Sequence, residues 1–482
     1  MQFVSTSFIA VFLCSVLLLQ GPYRGLWAFL VSLPFGAAAA ITFPAVGGTS
    51  LLVSDIVLLV MMVQLFFQRR WFSQTLGTVR PYRPGFWLLL CLIGAVVSAI
   101  FLPRLFVGQT EVFQVVRFED RALPMLQPLQ PSNSNVSQAF RLLLSASAFL
   151  VLATLYRLRP EPQHVVCAMA AALAVHATLG FADIASYALG MPDLLSVIRT
   201  SGYQMLDHQM LLGAKRMVGG FPEPSSFGYY TIGLFGFWLR YWVGDRSNVL
   251  AIICLLVVTV LVLRSTSSGT YAAVGAFMLI FLGLQLRHMH LDHLPPAQVR
   301  MLGAVAVLLP LFVGTAVLIL NLVPAVGDYF DHVLFSKLSS SSGVERMSWN
   351  RQAFVNFWDT WTLGAGIGSV RGNGWLGATL GNIGLVGTLL FGAFLVAVIR
   401  ARAVDPASQQ ALVVSALQYG CGAVFLQAML TKTTPNLGTE FFAMAGLAVG
   451  IARGSELLGR PMRPVPFRPK LRAGMHGVSL NS

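Results

Sequence analysis

Long apolar runs recur along the whole chain, separated by short polar or cationic stretches. They are Phe8–Leu19, Leu26–Ile41, Leu51–Phe67, Phe86–Leu102, Leu142–Tyr156, Val165–Leu189, Phe227–Leu239, Val249–Leu263, Tyr271–Leu286, Met301–Leu320, Trp375–Ile399, Ala411–Leu430 and Phe441–Ile451. A helix needs roughly 20 residues to cross a bilayer core, so the pattern predicts an all-α polytopic membrane protein. It would have about 12–13 transmembrane helices. An odd count puts the N-terminus outside, and a re-entrant reading of one of the first three runs restores an even count. The first run has neither a basic segment before it nor a small-residue cleavage site after it, so it reads as an anchor.

Composition agrees with the pattern. Of the 482 residues, 56% are hydrophobic and only 10% are charged, a balance foreign to water-soluble domains. The net charge of +14 sits in clusters between runs, where it sets orientation in the membrane and implies no nucleic-acid partner. Arg69, Arg70, Arg80 and Arg83 form one acid-free cluster, and the tail from Arg453 through Arg460, Arg463, Arg468, Lys470 and Arg472 forms another. Both are expected in the cytoplasm. The chain then divides into a membrane domain, 1–452, with external loops 103–139, 190–225 and 321–374, and a basic cytoplasmic tail, 453–482. The five cysteines lie in apolar runs without paired spacing, so neither disulfides nor a zinc site is expected. His288, His290 and His293 precede two prolines and read as a solvated loop, and Asp55 reads as a capping or interfacial group.

Candidate chemistry concentrates in Lys215–Tyr229, KRMVGGFPEPSSFGY. Pro222 and Pro224 exclude helix interior and push Phe221 and Glu223 toward extended geometry. That holds Glu223 in a rigid approach to Ser225 and Ser226, which are placed to cap the following helix. The stretch reads as the threshold of a membrane enzyme's site; a capped helix start with interfacial Lys215 and Arg216 is the alternative. Val249–Leu263 is a short run, so Arg264 and the STSSGT after it are expected either to line a cavity at the outer headgroups or to snorkel to the interface.

The third external loop carries its own helix. Ser342-Gly-Val-Glu345 fits a capping box and starts it near Gly343. Met347, Phe354, Trp358 and Trp361 then give an apolar stripe suited to the membrane interface. Arg351 shares that stripe and can address a headgroup, whereas Arg346 is turned toward the rest of the loop. Gly364, Gly366 and Gly368 either turn amides toward a phosphate or allow tight turns and close packing. Asp328 and Asp331 read as a solvated acidic turn rather than a cation site.

Taken in order, LPFGAAAAITFPAVGGTSLLVSDIVLL, RMVGGFPEPSSFG, LRSTSSGTYAA, ERMSWNRQAFVNFWDTWTLGAGIGS and LGNIGLVG resemble the O-antigen ligase and polymerase family. These are glycosyltransferases that use undecaprenyl-diphosphate-linked sugars outside the bacterial inner membrane. The resemblance implies that Arg216 and Arg351 are the external-loop arginines and that Glu223-Pro-Ser225 is the helix-start motif. Two places depart from the family: Arg371-Gly372-Asn373-Gly374 stands where many members have His-Asn, and Ser267-Ser268-Gly269 stands where many have Ser-Arg-Gly. Both count against a histidine mechanism and favour the exopolysaccharide-polymerase branch.

On this reading Arg216, Glu223 and Arg351 are catalytic, and Lys215, Ser225, Arg264, Arg346, Arg371 and Asn373 bind substrate. Arginine forks match diphosphate oxygens without a metal or other cofactor. Glu223 is the expected general base, ahead of Asp183 and Glu440. The implied partners are the lipid-linked oligosaccharide, the bilayer, and other polysaccharide assembly and chain-length proteins. A ligase acting on lipid A core, a flippase and a non-catalytic scaffold are the competing readings. A flippase should carry charges at mid-membrane, where this chain has few. A cysteine introduced at Ser340 should react with an impermeant reagent added outside intact spheroplasts; its protection would overturn the assigned sides.

Overall fold

The computed structural model describes residues 2–43, 49–117, 122–202, 205–211, 214–287 and 341–458. The run Met301–Leu320, Asp328, Asp331, Ser340, the three loop histidines and the tail beyond 458 lie outside the described residues.

The chain is predominantly helical, as expected. Helix α1 (Ser7–Arg24) breaks at Gly21 before Pro22. The second apolar run does not form a full crossing. It gives α2 (Leu26–Ser32), which stops short of Pro34, where a backbone donor is missing, and then strand β2 (Ala39–Phe43). Strand β2 lies antiparallel between β1 (Gln2–Phe3) and β3 (Thr49–Leu52). Helix α3 (Val53–Phe66) follows, and Asp55 accepts the Leu52 amide at 2.9 Å, so it does act as a cap. Helix α4 (Trp71–Thr78) turns away from α3 by 116°.

The main bundle continues through α5 (Pro84–Leu105), α6 (Asn133–Leu158), α7 (Pro162–Ala188), α8 (Pro224–Gly244), α9 (Val249–Arg264) and α10 (Ser268–Arg287). After the undescribed segment come α11 (Ser341–Asp359), α12 (Trp375–Ile399), α13 (Gln409–Thr431) and α14 (Thr439–Leu458). Among the described residues seven helices are long and apolar enough to span a bilayer, or eight if α3 and α4 count as one bent span. That is fewer than the runs suggested, because α2 is short, α9 has 16 residues, and α8 and α14 are less apolar. These last two form the inside of the bundle. Phe441 to Ala452 of α14 are buried without interruption, and so are Phe227 to Leu239 of α8. Inner helices face protein on every side and need not match lipid. Helix α14 also runs beyond 452, so Arg453 belongs to the bundle and not to a tail.

Helices α6 and α14 make the most extensive helix contact among the described residues and lie parallel. Glycines spaced by four residues set their separation. A methyl group on Gly446 would stand 2.7 Å from the Phe149 carbonyl oxygen, one on Gly450 would stand 2.8 Å from Tyr156 Cβ, and one on Gly454 would stand 2.8 Å from the Tyr156 carbonyl oxygen. In a bilayer, where apolar burial between helices gains little, such backbone approach supplies the packing.

The segment between α5 and α6 is not irregular: it carries a small hairpin in an otherwise helical chain. Strand β4 (Glu111–Arg117) pairs antiparallel with β5 (Ala122–Pro128). Thr110 and the Glu111 carbonyl hold Asn356 of α11 at 2.8 and 2.6 Å. A second small hairpin, β6 (Met210–Leu211) and β7 (Ala214–Lys215), leads to α8.

Replacing Gly450 by Ala should lower thermal stability in detergent by about 1–3 kcal/mol, the range for overpacking. Gly392→Ala, where a methyl group meets nothing within 4 Å, should leave it unchanged or higher. Equal melting of the two variants would refute the seam.

Candidate functional site

The segment leading to α8 is organised by a buried ion cluster. Asp183, near the end of α7, accepts from Arg199 at 2.6 Å, from Lys215 at 3.2 and 3.3 Å, and from the Val218 and Gly219 amides at 2.8 and 3.3 Å. The Asp183, Arg199 and Lys215 side chains are 0%, 2% and 4% exposed. Arg199 also pairs with Asp207 at 2.9 Å, and Lys215 donates to the Asp207 carbonyl at 2.7 Å. Lys215 and Asp183, expected as a substrate ligand and a weaker candidate base, are therefore committed to each other. A buried cation and anion each need such partners.

Arg216 points the other way. It donates to the Thr266 hydroxyl at 3.1 Å, the Thr266 carbonyl at 2.8 Å and Gln209 Oε1 at 2.6 Å. Thr266 has a left-handed backbone, φ 49°, so the guanidinium holds the tight α9–α10 turn against the approach to α8. That turn abuts the end of α13: a methyl group on Gly269 would stand 2.4 Å from Thr431 Cγ2.

Glu223 is extended, φ −156° and ψ 159°, as its prolines demand, and it is the N-cap residue of α8 with Pro224 in the first turn. Ser225 and Ser226 do not cap the helix. Both hydroxyls donate to Glu223 Oε1, Ser226 at 3.2 Å, because Pro224 begins the helix ahead of them. They fix the carboxylate's orientation, and its hydrogen bonds to described residues all run to Oε1.

The structure adds a cation that the sequence reading missed. Lys432, just past α13, lies over the Tyr229 ring with Nζ 4.2 Å from its centre, and Tyr229 donates to the Leu437 carbonyl at 2.9 Å. Burial pushes Lys432 below the usual lysine range, opposed by the charges of Glu440 and Glu223. No direct ion pair joins it to either. Glu440 itself lines a small apolar hollow of about 20 Å³ with Leu33, Tyr230 and Met444. The signal in the sequence was Lys432 alone between an apolar run and Pro435.

A loop from α11 to α12 closes this end. Gly364, Gly366 and Gly368 all have positive φ, near +90°, but their neighbourhood excludes a phosphate nest. The Ala365 amide donates to Gly381 at 2.7 Å, Gly366 to the Asn382 carbonyl at 3.0 Å, and Gly368 and Val370 to Asn382 Oδ1 at 2.8 and 3.3 Å. Asn382 Nδ2 in turn donates to Val370 and Ala378 at 2.8 and 2.7 Å. Gly384 (φ +65°) breaks α12, and the Thr362 and Leu363 carbonyls fill the gap. Gly374 then donates to the Lys432 carbonyl at 3.0 Å. Arg371 stacks on Trp349 of α11 at 5.4 Å; burial lowers its basicity, and Glu345 counteracts this.

The fold thus gathers Glu223, Lys432, Glu440, the Arg216 turn and the Arg371 loop at one end of α14. Arg264 and Arg351 are exposed, and neither their side chains nor those of half-buried Arg346 and Asn373 hydrogen-bond to other described residues. Met347, Phe354, Trp358 and Trp361 are 52%, 37%, 68% and 73% exposed, so they share an outward side with Arg351. Helix α11 starts at Ser341 and ends before Trp361, whose ring packs edge-on against Phe106 at 5.8 Å. Among the described residues no three His, Cys, Asp or Glu side chains are grouped to hold a metal ion. No protein-family model matches the chain, and no curated protein matches it.

Asp183→Ala takes a charged acceptor from two buried cations and an acceptor from two amides. It should cost about 3–5 kcal/mol, read as loss of the monodisperse peak or a lowered melting temperature in detergent. Wild-type stability would show that the cluster does not order this segment.

Proposed function

We propose that the chain is a metal-independent membrane glycosyltransferase that polymerises undecaprenyl-diphosphate-linked oligosaccharide units at the outer face of a bacterial inner membrane. The observation that carries this reading is the convergence of a rigid carboxylate, Glu223, with Lys432 and the Arg216 and Arg371 loops at one end of the bundle. The acceptor hydroxyl attacks the anomeric carbon as the bond to the diphosphate breaks. Glu223 takes the hydroxyl proton, and the diphosphate leaves with the bonding electrons.

Lys432 and Arg371 supply positive charge where the leaving group gains negative charge, in surroundings poor in water. Arg216 acts as a positioning residue, because its fork holds the turn that abuts Thr431. Exposed Trp358 of α11 and Trp361 just beyond it rest at the headgroup level beside Arg351, which meets the donor's lipid-borne phosphates. The arginine-rich end formed by α4, α5 and the C-terminal part of α14 faces the cytoplasm.

The test is purified protein in lipid with a defined undecaprenyl-diphosphate oligosaccharide, scored for chain extension. Transfer to lipid A core instead would select the ligase reading, and no transfer at all would remove the enzyme. Glu223→Gln should lower the rate by roughly 10²- to 10⁴-fold, and Lys432→Met by roughly a hundredfold or more, both at normal expression. Extension by Glu223→Gln above about a tenth of the wild-type rate would end the general-base role. Activity should survive EDTA; its loss and recovery on magnesium would make the reaction metal-dependent.

A further inference from the structure

At the opposite end of α14 the bundle has a second cleft. Arg453 follows Glu440 by thirteen residue steps of helix, about 20 Å along the axis at 1.5 Å per residue. The cleft has room of about 60 Å³ and is lined by Arg80, Arg83, Arg157, Arg453 and Glu456, with Pro84, Ala153 and Val449 on its apolar wall. Four arginines from three places in the chain thus line one hollow with one carboxylate.

Orientation in the membrane explains arginines at this end, yet it asks only that they reach water or headgroups separately. Convergence brings like charges together at a cost that one carboxylate offsets in part and a bound anion would lower further. The arrangement is also built at the level of packing. Arg157 donates to the Gln74 carbonyl at 3.2 Å, and its guanidinium lies so close to α4 that a methyl group on Gly77 would stand 2.1 Å from it. Arg80 and Arg83 occupy the two ends of one turn, closed by the Arg83 amide on the Arg80 carbonyl at 3.0 Å. Arg453 pairs with Glu456 through one terminal nitrogen, while its buried Nε has no hydrogen-bond partner among the described residues.

We infer that this cleft binds a phosphate-bearing anion through Arg80, Arg83, Arg157 and Arg453. Guanidinium forks match phosphate oxygens, and the apolar wall suits a group that enters from the edge of the bilayer. The phosphate can belong to an anionic lipid headgroup or to a soluble phosphate or diphosphate.

The experiment uses the full chain in neutral detergent and follows its melting temperature in two arms: added phosphatidylglycerol against phosphatidylcholine, and added inorganic phosphate or pyrophosphate against chloride at equal ionic strength. A ligand that binds only the folded chain raises the melting point with concentration. A shift with phosphatidylglycerol alone assigns a headgroup, and a shift with phosphate or pyrophosphate assigns the free anion. Arg83→Gln should weaken the response by roughly tenfold or more in concentration, as expected for one lost charge-assisted contact. Gly77→Ala should do the same by displacing Arg157. Arg400→Gln, an exposed arginine outside the cleft, should not. Absence of a shift in both arms of the wild type, or an equal loss in Arg400→Gln, would overturn the site, since generic charge would then account for the response. If the cleft variants fail to fold, native mass spectrometry of the wild type decides: no retained phosphate-bearing species at low salt refutes the proposal.

Discussion

The structure depends on how closely α6 and α14 approach. Their contact is made by backbone against backbone, with Gly446, Gly450 and Gly454 each facing a carbonyl or a Cβ of α6. Dispersion between atoms falls steeply with separation, so three small residues in register hold the pair more firmly than three larger ones that part the helices. Because α14 is enclosed, fixing it also fixes Glu440 at one end and Arg453 at the other. The two ends of the molecule are thereby referred to one rigid element.

The approach to α8 depends on a different force. Asp183, Arg199, Lys215 and Asp207 exchange charge in an environment where an uncompensated ion is costly. Such clusters add little net stability but penalise wrong arrangements heavily. Here the cluster selects one path for residues 199–219, and that path presents Arg216 to Thr266 and Glu223 to the start of α8. A polar knot within an apolar protein therefore decides where the exposed chemistry stands.

Much of this was legible in the residues. Apolar runs located most helices, the prolines fixed the extended Glu223, and the stripe through Met347, Phe354 and Trp358 described the outward side of α11. What escaped was set by distant contact or by short-range detail. Lys215 and Arg216 are adjacent and alike in charge, yet one is buried on Asp183, 32 residues away, and the other holds a turn. Nothing local separates them. Lys432 meets Tyr229 only because α8 and α13 pack together. The β4–β5 hairpin and the early end of α2 were missed because length and apolarity were weighed above Pro34 and the strand-forming residues Val112, Phe113 and Val115. The spacing of Gly446, Gly450 and Gly454 was readable as a packing seam, since small residues four apart share one helix face.

Asn382 carries a consequence of another kind. One carboxamide accepts from two amides and donates to two carbonyls, so the loop that bears Arg371 is already closed before any ligand arrives. The conformational entropy of ordering that loop is spent in folding, so on the proposed reading an anion arriving there would meet groups that need not be immobilised again. Aspartate is nearly the same size, yet it would set an acceptor against both carbonyls and open the loop. A single uncharged side chain thus sets how rigidly the Arg371 loop is held.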